Sequence, residues 1–209
     1  IAKKDITISG GDFAAVSKVY DGTTAALLNA VPTGVMFFGV VGLDVVTLDT
    51  ANASGTLVNK NIASGTPVTF AGYALDALSL TNYNLTNQPS PETQDVNTLS
   101  LTITGVTASN KVYDGTDAAT SAGVPALVGV VASDTANVTL GGSMFLNFSG
   151  LNPASVGIAK PVIVTGLNIS GSESTNYTLI QPTLSANISA KELTVSGLSA
   201  SDKVYNQNL

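Results

Sequence analysis

The chain has 209 residues, a formal net charge of −6 and a pI near 4.3, and it contains no His, Cys or Trp. Its eight basic residues are all Lys, so an acidic chain offers no clustered cationic surface to nucleic acid. Without His or Cys there is no Ser-His-Asp triad, no Cys-His dyad and no ordinary zinc, iron or copper site, which leaves only carboxylate chemistry with hard cations.

Charged residues make up 11% of the chain, against about 25% in a typical soluble domain. Ser and Thr fill the polar positions instead, a profile that suits secreted β-rich surface proteins. The lack of Cys fits a reducing cytosol and a disulfide-free secreted protein equally. The most apolar stretch, Ala25 to Val41, is interrupted by Asn29, Pro32, Thr33 and Gly34, too broken for the ~20 apolar residues of a membrane-spanning helix. No membrane insertion and no signal peptide are expected. The opening IAKKD falls in mid-pattern, so the chain reads as a piece of something longer.

From the N-terminus, ITISG (6–10) alternates apolar and hydroxyl side chains with the period of two that marks a half-buried strand. KVYDGT follows from Lys18 to Thr23, and Ala25 to Leu28 offers at most one turn of helix. GVVGLDVVTL (39–48), GTPVTFAG (65–72) and TNYNLTNQP (81–89) complete a first series. A second series repeats the order: LTITG (101–105), KVYDGT (111–116), GVVASDTANVTL (129–140), AKPVIVTG (159–166) and TNYTLIQP (175–182). Asp134 stands opposite Asp44 in this alignment. LTVSG (193–197) and a KVY copy at Lys203, with Asn206-Gln207 in place of Asp-Gly, open a third series.

Self-similarity at this spacing describes a tandem array. Residues 1–98 and 99–190 are two domains of the array, and 191–209 is the opening strand of a third or a donor strand. Gly, Asn, Asp and Pro punctuate the strand runs every eight to twelve residues. The expected fold is all-β: tandem β-sandwich, Ig-like domains with essentially no helix, a β-grasp-like topology being the alternative. Strand order cannot be read from these patterns.

The recurring hexapeptide reads as a strand end followed by a tight turn. Val112 is expected to face inward, with Lys111 and Tyr113 turned the other way or the Tyr lying across a sheet edge, and Tyr20 and Tyr113 are expected to anchor the motif by packing a ring and satisfying a hydroxyl. Asp can bond its own backbone two residues on, and Gly accepts positive φ. Lys18, Tyr20, Asp21 and Gly22, repeated as Lys111, Tyr113, Asp114 and Gly115, are thus structural-motif residues. So are Asn82 with Tyr83 and Asn176 with Tyr177 of the TNY blocks. The competing reading joins Asp21 or Asp114 to Asp44, Asp117 or Asp134 as a calcium site. Ca²⁺ needs six to eight oxygens and no dense DxDxD cluster is present, so no cofactor is expected; Asp21, Asp114 and Asp134 are the remaining calcium candidates.

KVYDGT, the GVV-x-x-D segment, the TNY-[NT]-L block and the A-x-I ending at Ala186 to Ile188 together resemble the YDG repeat of large exported bacterial adhesins, including those similar to filamentous haemagglutinin. The resemblance covers nearly the whole chain. It implies export to the bacterial cell surface and a stalk or adhesive role without enzymatic activity. The first series departs from it, having ETQDVNTLSL (92–101) where the A-x-I ending is expected.

Other chemistries have plainer readings. Asn-x-Ser/Thr triplets at Asn52, Asn84, Asn137, Asn147, Asn168, Asn176 and Asn187 are mostly coincidental in a Ser/Thr-rich chain. Lys18 and Lys111 are candidate isopeptide donors, although solvated Lys is far commoner. LDTA (48–51) and SDTA (133–136) resemble an aspartic-protease triplet without its Gly, at non-equivalent positions. Tyr73, whose counterpart is Leu167, is the one aromatic suited to a sugar site.

Two functions follow. The chain is a stalk or adhesin segment, a monomer whose partners are neighbouring repeats of the same protein. Alternatively it is a self-assembling extracellular fibre subunit. In that case Leu193, Val195, Val204 and Tyr205 form a strand that completes the sheet of another copy.

Overall fold

A computed structural model gives the fold of residues 1–205 and 207, so the Asn206 substitution in the third KVY copy lies outside the described residues. The first series forms β1 (Lys4–Ser9), β2 (Ser17–Val19), β3 (Met36–Phe38), β4 (Leu48–Asp49), β5 (Ser54–Leu57), β6 (Ala63–Ala71), β7 (Ala74–Leu75), β8 (Tyr83–Leu85) and β9 (Glu92–Asn97). The second forms β10 (Leu99–Ala108), β11 (Lys111–Val112), β12 (Ser121–Val128), β13 (Thr139–Phe148), β14 (Gly157–Ser170), β15 (Tyr177–Leu179) and β16 (Thr183–Ser189). Helical geometry among the described residues is confined to three-residue 3₁₀ turns at Ser79–Thr81, Ala132–Asp134 and Ser174–Asn176. The fold is all-β, as the period-two patterns require.

Each series builds the same two sheets. A three-stranded sheet has the order β3-β1-β8 in the first and β12-β10-β15 in the second. A four-stranded sheet has the order β2-β9-β6-β5 and then β11-β16-β14-β13. In all four sheets the pair made by the most distant strands is parallel: β1 with β8, β10 with β15, β2 with β9, β11 with β16. Parallel strands need a long crossover, here supplied by most of a repeat. β4 and β7 form a separate short antiparallel ribbon.

Register shows that the first series keeps its expected ending in disguise. Lys18 pairs with Val96 as Lys111 pairs with Ile188, so Gln94-x-Val96 stands where Ala186-x-Ile188 stands. Gln94 is 1% exposed and fully engaged. Its Oε1 accepts the Leu27 N–H at 3.0 Å, and its Nε2 donates to the Ala15 and Leu27 carbonyls at 2.7 and 2.8 Å. The same strand's Glu92 carboxylate accepts the Phe13 and Ala14 N–H groups. Through Leu27, Gln94 holds the segment 25–28, which offered at most one turn of helix. That segment instead makes single antiparallel bridges, Ala25 to Thr56 and Leu28 to Ala14, because a sheet edge satisfies its backbone more completely than one isolated helical turn.

The chain divides into two compact units, and neither coincides with one sequence series. The first holds residues 1–104, 126–143 and 167–180; the second holds 105–125, 144–166 and 181–209. In the first unit Ile8, Phe13, Tyr20, Leu57, Val68, Phe70, Tyr73, Val96, Leu101, Val138 and Tyr177 share one core. Burial of each large apolar side chain there contributes roughly 1.5–3 kcal/mol. Tyr73 belongs to this core rather than to a sugar site: it is 4% exposed and meets Phe13 edge-on with ring centroids 5.1 Å apart. A ring packed between Phe13 and Phe70 has no face left for a ligand. In the second unit the inward positions of the strands are Leu146, Phe148, Val162, Val164, Ala186 and Ile188.

Residues 190–205 form no strand, although LTVSG carries the pattern of one. A strand exists only as part of a ladder, and this segment has none. Leu193, Val195, Val204 and Tyr205 are all exposed.

Candidate functional site

Two identical hexapeptides fold to the same local device. In the first copy the Lys18 ammonium donates to both Asp21 carboxylate oxygens at 2.8 and 2.9 Å and to the Ala25 carbonyl at 2.6 Å. Asp21 Oδ1 accepts the backbone N–H and the hydroxyl of Thr23, both at 2.9 Å. In the second, Lys111 donates to Asp114 at 2.8 Å and to the carbonyls of Thr116 and Ala118 at 2.9 Å. Asp114 accepts from Thr116 as Asp21 does from Thr23. Gly22 and Gly115 take φ of +78° and +81°, the left-handed turn the sequence required.

The Lys18 and Val112 directions reverse the expected ones, whereas Tyr20 packs its ring and satisfies its hydroxyl as an anchor should. Lys18 is 8% exposed and Tyr20 1%, while Val19 is 54% exposed and Val112 56%. While Tyr113 of the second copy stays 43% exposed, strand alternation buries the Lys and Tyr face of the first. This is tolerable because every proton of the Lys18 ammonium meets a carboxylate or carbonyl oxygen.

Beyond this latch the two copies part company. Tyr20 enters a polar socket within the first unit, formed by the second series. Its hydroxyl donates to Asp134 Oδ2 at 2.7 Å, and Tyr177 donates to the same oxygen at 2.7 Å. The two rings meet edge-on with centroids 5.4 Å apart. The 3₁₀ turns place these groups: Ala132–Asp134 ends on the carboxylate, and Ser174–Asn176 leads directly into Tyr177. Lys60 donates to the Tyr20 hydroxyl at 3.1 Å and pairs with Glu173 at 3.3 Å. Asn176, 1% exposed, accepts the Ile62 N–H at 3.0 Å and donates to Asn61 and Glu173. Val131 packs on the same core, where a Cβ added to Gly22 would lie 2.8 Å from its methyl.

Burial raises the Tyr20 pKa, assisted by its bond to Asp134 and opposed by Lys60. Burial raises Tyr177 likewise, and Asp134 adds to it. For Asp134, burial works to raise the pKa, but the hydroxyls of Tyr177, Tyr20 and Ser133 outweigh it and hold the carboxyl below its ordinary range. The Asp114 carboxyl is pulled down to about 2, first by Lys111 and then by Thr116.

The chain should therefore lose stability at both ends of the pH scale. A tyrosine whose folded pKa lies above its ordinary 10.0 stabilises fully below that value and loses the contribution as pH rises past it. A carboxyl lowered from 3.8 to about 2 stabilises above the higher figure and loses the contribution as pH falls toward the lower. Tyrosinate absorbance should show Tyr20 and Tyr177 ionising only as the first unit unfolds. Ionisation of all tyrosines near 10 in a still folded chain would contradict the buried network.

Among the described residues no group of three or more acidic side chains is placed to hold a metal ion. Of the calcium candidates, Asp21 and Asp114 are engaged by Lys and Thr, and Asp134 by two tyrosines and Ser133. No helix of the described residues is long and apolar enough to cross a membrane.

The Lys–Asp–Thr latch of the hexapeptide thus recurs in both series, and so does the pair of aspartate and TNY tyrosine, Asp44 with Tyr83 and Asp134 with Tyr177. The model of the YDG domain family matches residues 2–91 and again 97–186. The chain belongs to the YDG domain family. No curated protein and no solved structure matches it. The YDG tyrosine of the first domain is a buried plug and that of the second, Tyr113, is 43% exposed. The structure brings together Tyr20, Asn176 and Tyr177 from the motif set, with Asp134 from the calcium candidates. Asn82 with Tyr83 stands apart from them, and Tyr113 lies in the second unit. Lys60, Asn61 and Glu173 were not anticipated. Register places Ala154 where Lys60 stands in the first domain, and a residue peculiar to one repeat gives no repeating signal. Asn176 and Asn187 of the glycosylation triplets accept backbone N–H groups of Ile62 and Ala159, which leaves those side chains committed within the fold.

Proposed function

We propose that this tandem YDG pair is a non-enzymatic stalk or adhesin segment of an exported bacterial surface protein, with neighbouring repeats of the same protein as its partners. The observation that carries the reading is the Tyr20 hydroxyl buried against Asp134 and Tyr177 of the next domain. A motif whose charged and hydroxyl groups bond one another and the adjoining repeat has little left to offer a substrate. Low charge and abundant Ser and Thr support an extracellular setting, and so does the likeness to adhesin repeats. The exposed apolar residues Leu193, Val195 and Val204 favour the second reading, a fibre subunit growing by strand addition through 191–209.

Placed between a surface anchor and a reporter-binding domain on a bacterial cell, the chain should move the reporter outward by a constant increment for each added copy. A reporter that stays at one distance would refute the stalk. Cell binding by beads coated with the chain alone would assign it the adhesive task instead.

A further inference from the structure

The first domain carries its own copy of the socket, and it is open. Tyr83 donates to Asp44 at 2.5 Å and accepts the Val41 N–H at 3.0 Å, as Tyr177 does with Asp134 and Val131. Asn82 stands where Asn176 stands. The surroundings differ in one consistent respect. Val131 packs on the shared core, whereas Val41 is 53% exposed; Asn176 is buried and Asn82 exposed. Asp44, Asn82 and Tyr83 line a cleft of about 320 Å³ with Lys3, Lys4 and Val41. The second unit holds the matching plug. Tyr113 is exposed beside Ser155 and Val156, the counterparts of Asn61 and Ile62, and Val156 is 54% exposed.

We propose that the Asp44–Tyr83 cleft is a docking site for the YDG tyrosine of a second copy of this chain. Tyr113 of one copy donates its hydroxyl to the exposed Asp44 of another, with the Val156 N–H directed to Asn82 and Val41 covered, while the Tyr83 ring, 3% exposed, stays packed in its own core. Each of these contacts has a filled counterpart at Tyr20, so the occupant is read from the protein's own junction. Plug and socket are made by different residues, Tyr113 of one unit and Asp44 of the other, so the contact is heterologous and can extend from copy to copy as a ring or a filament. The inference rests on the reading of YDG tyrosines as joints between repeats.

Sedimentation over rising concentration tests it. Tethered repeats meet at effective concentrations of about 1 mM, so the full chain should associate at or below that level. Tyr113→Ala and Val41→Asp, both at exposed positions, should each weaken association by at least about tenfold, the size of one lost hot-spot contact. Mixed in equal amounts, the two variants should restore a dimer that goes no further, since one retains only its socket and the other only its plug. A chain ending at Ala190 should still associate. Loss of association in that shortened chain would overturn the tyrosine plug in favour of strand addition. A wild-type chain that stays monomeric at about 1 mM, or variants that associate undiminished, would also overturn it. Either result would leave the reporter-distance experiment, and the stalk with it, unaffected.

Discussion

Asp134→Ala should destabilise the first unit by about 4 kcal/mol, read from the midpoint of its thermal or urea transition. The carboxylate is 1% exposed and accepts two tyrosine hydroxyls at 2.7 Å. Alanine would leave the Tyr177 hydroxyl buried without an acceptor and the Tyr20 hydroxyl with only the Glu173 carboxylate at 3.4 Å, at about 1–3 kcal/mol each. It would also remove the Asp134 charge 3.5 Å from Lys60, although Glu173 at 3.3 Å keeps that ammonium paired. Asp134→Asn retains one acceptor oxygen and should cost roughly half as much. Asp44→Ala is the internal control. The same aspartate–tyrosine pair is made there, but Asp44 is exposed, and water can take over as the Tyr83 partner. Its cost should stay near 1 kcal/mol. Equal losses at Asp44 and Asp134 would mean that the junction adds nothing to the pair itself.

Tyr20→Ala and Tyr113→Ala should differ by about 3 kcal/mol despite identical flanking hexapeptides. The Tyr20 ring is 1% exposed and packs edge-on against Tyr177. Truncating a large buried aromatic costs about 3–5 kcal/mol through lost transfer energy and the cavity left behind. Tyr113 is 43% exposed, and its removal should cost less than about 1 kcal/mol. Tyr20→Phe separates ring from hydroxyl: it should cost about 1–2 kcal/mol, because Asp134 loses one of its two tyrosine donors and keeps Tyr177 and Ser133. Matching losses for Tyr20→Ala and Tyr113→Ala, in unfolding by urea, would show that the hexapeptide itself sets the energy and that the socket does not.

That contrast marks where sequence reading stops. The Asp-Gly turn was legible because its causes are local: Asp21 and Asp114 bond Thr23 and Thr116 two residues on, and Gly takes the positive φ that other residues avoid. The pairing of Asp44 with Asp134, and of Tyr83 with Tyr177, was legible from the order of the repeated blocks. The inward turn of Lys18 was not. An exposed lysine is the better wager until the carbonyls of Thr23 and Ala25 are seen to close around its ammonium. Gln94 and Val96 hid the A-x-I ending for a similar reason. A buried amide can replace an alanine only if partners far along the chain satisfy it, and Ala15 and Leu27 do so from residues 79 and 67 positions away.

The sequence by itself determined a tandem all-β array, its turns, and which residues of one domain answer to which of the next, because alternation, glycine conformation and repetition act within a few residues. Only the tertiary structure decided that each sheet closes on a parallel pair, that Tyr73 is core, and that Tyr20 is buried while Tyr113 is open to solvent. Those outcomes depend on which distant surface arrives to cover a side chain, and two identical hexapeptides cannot encode different neighbours.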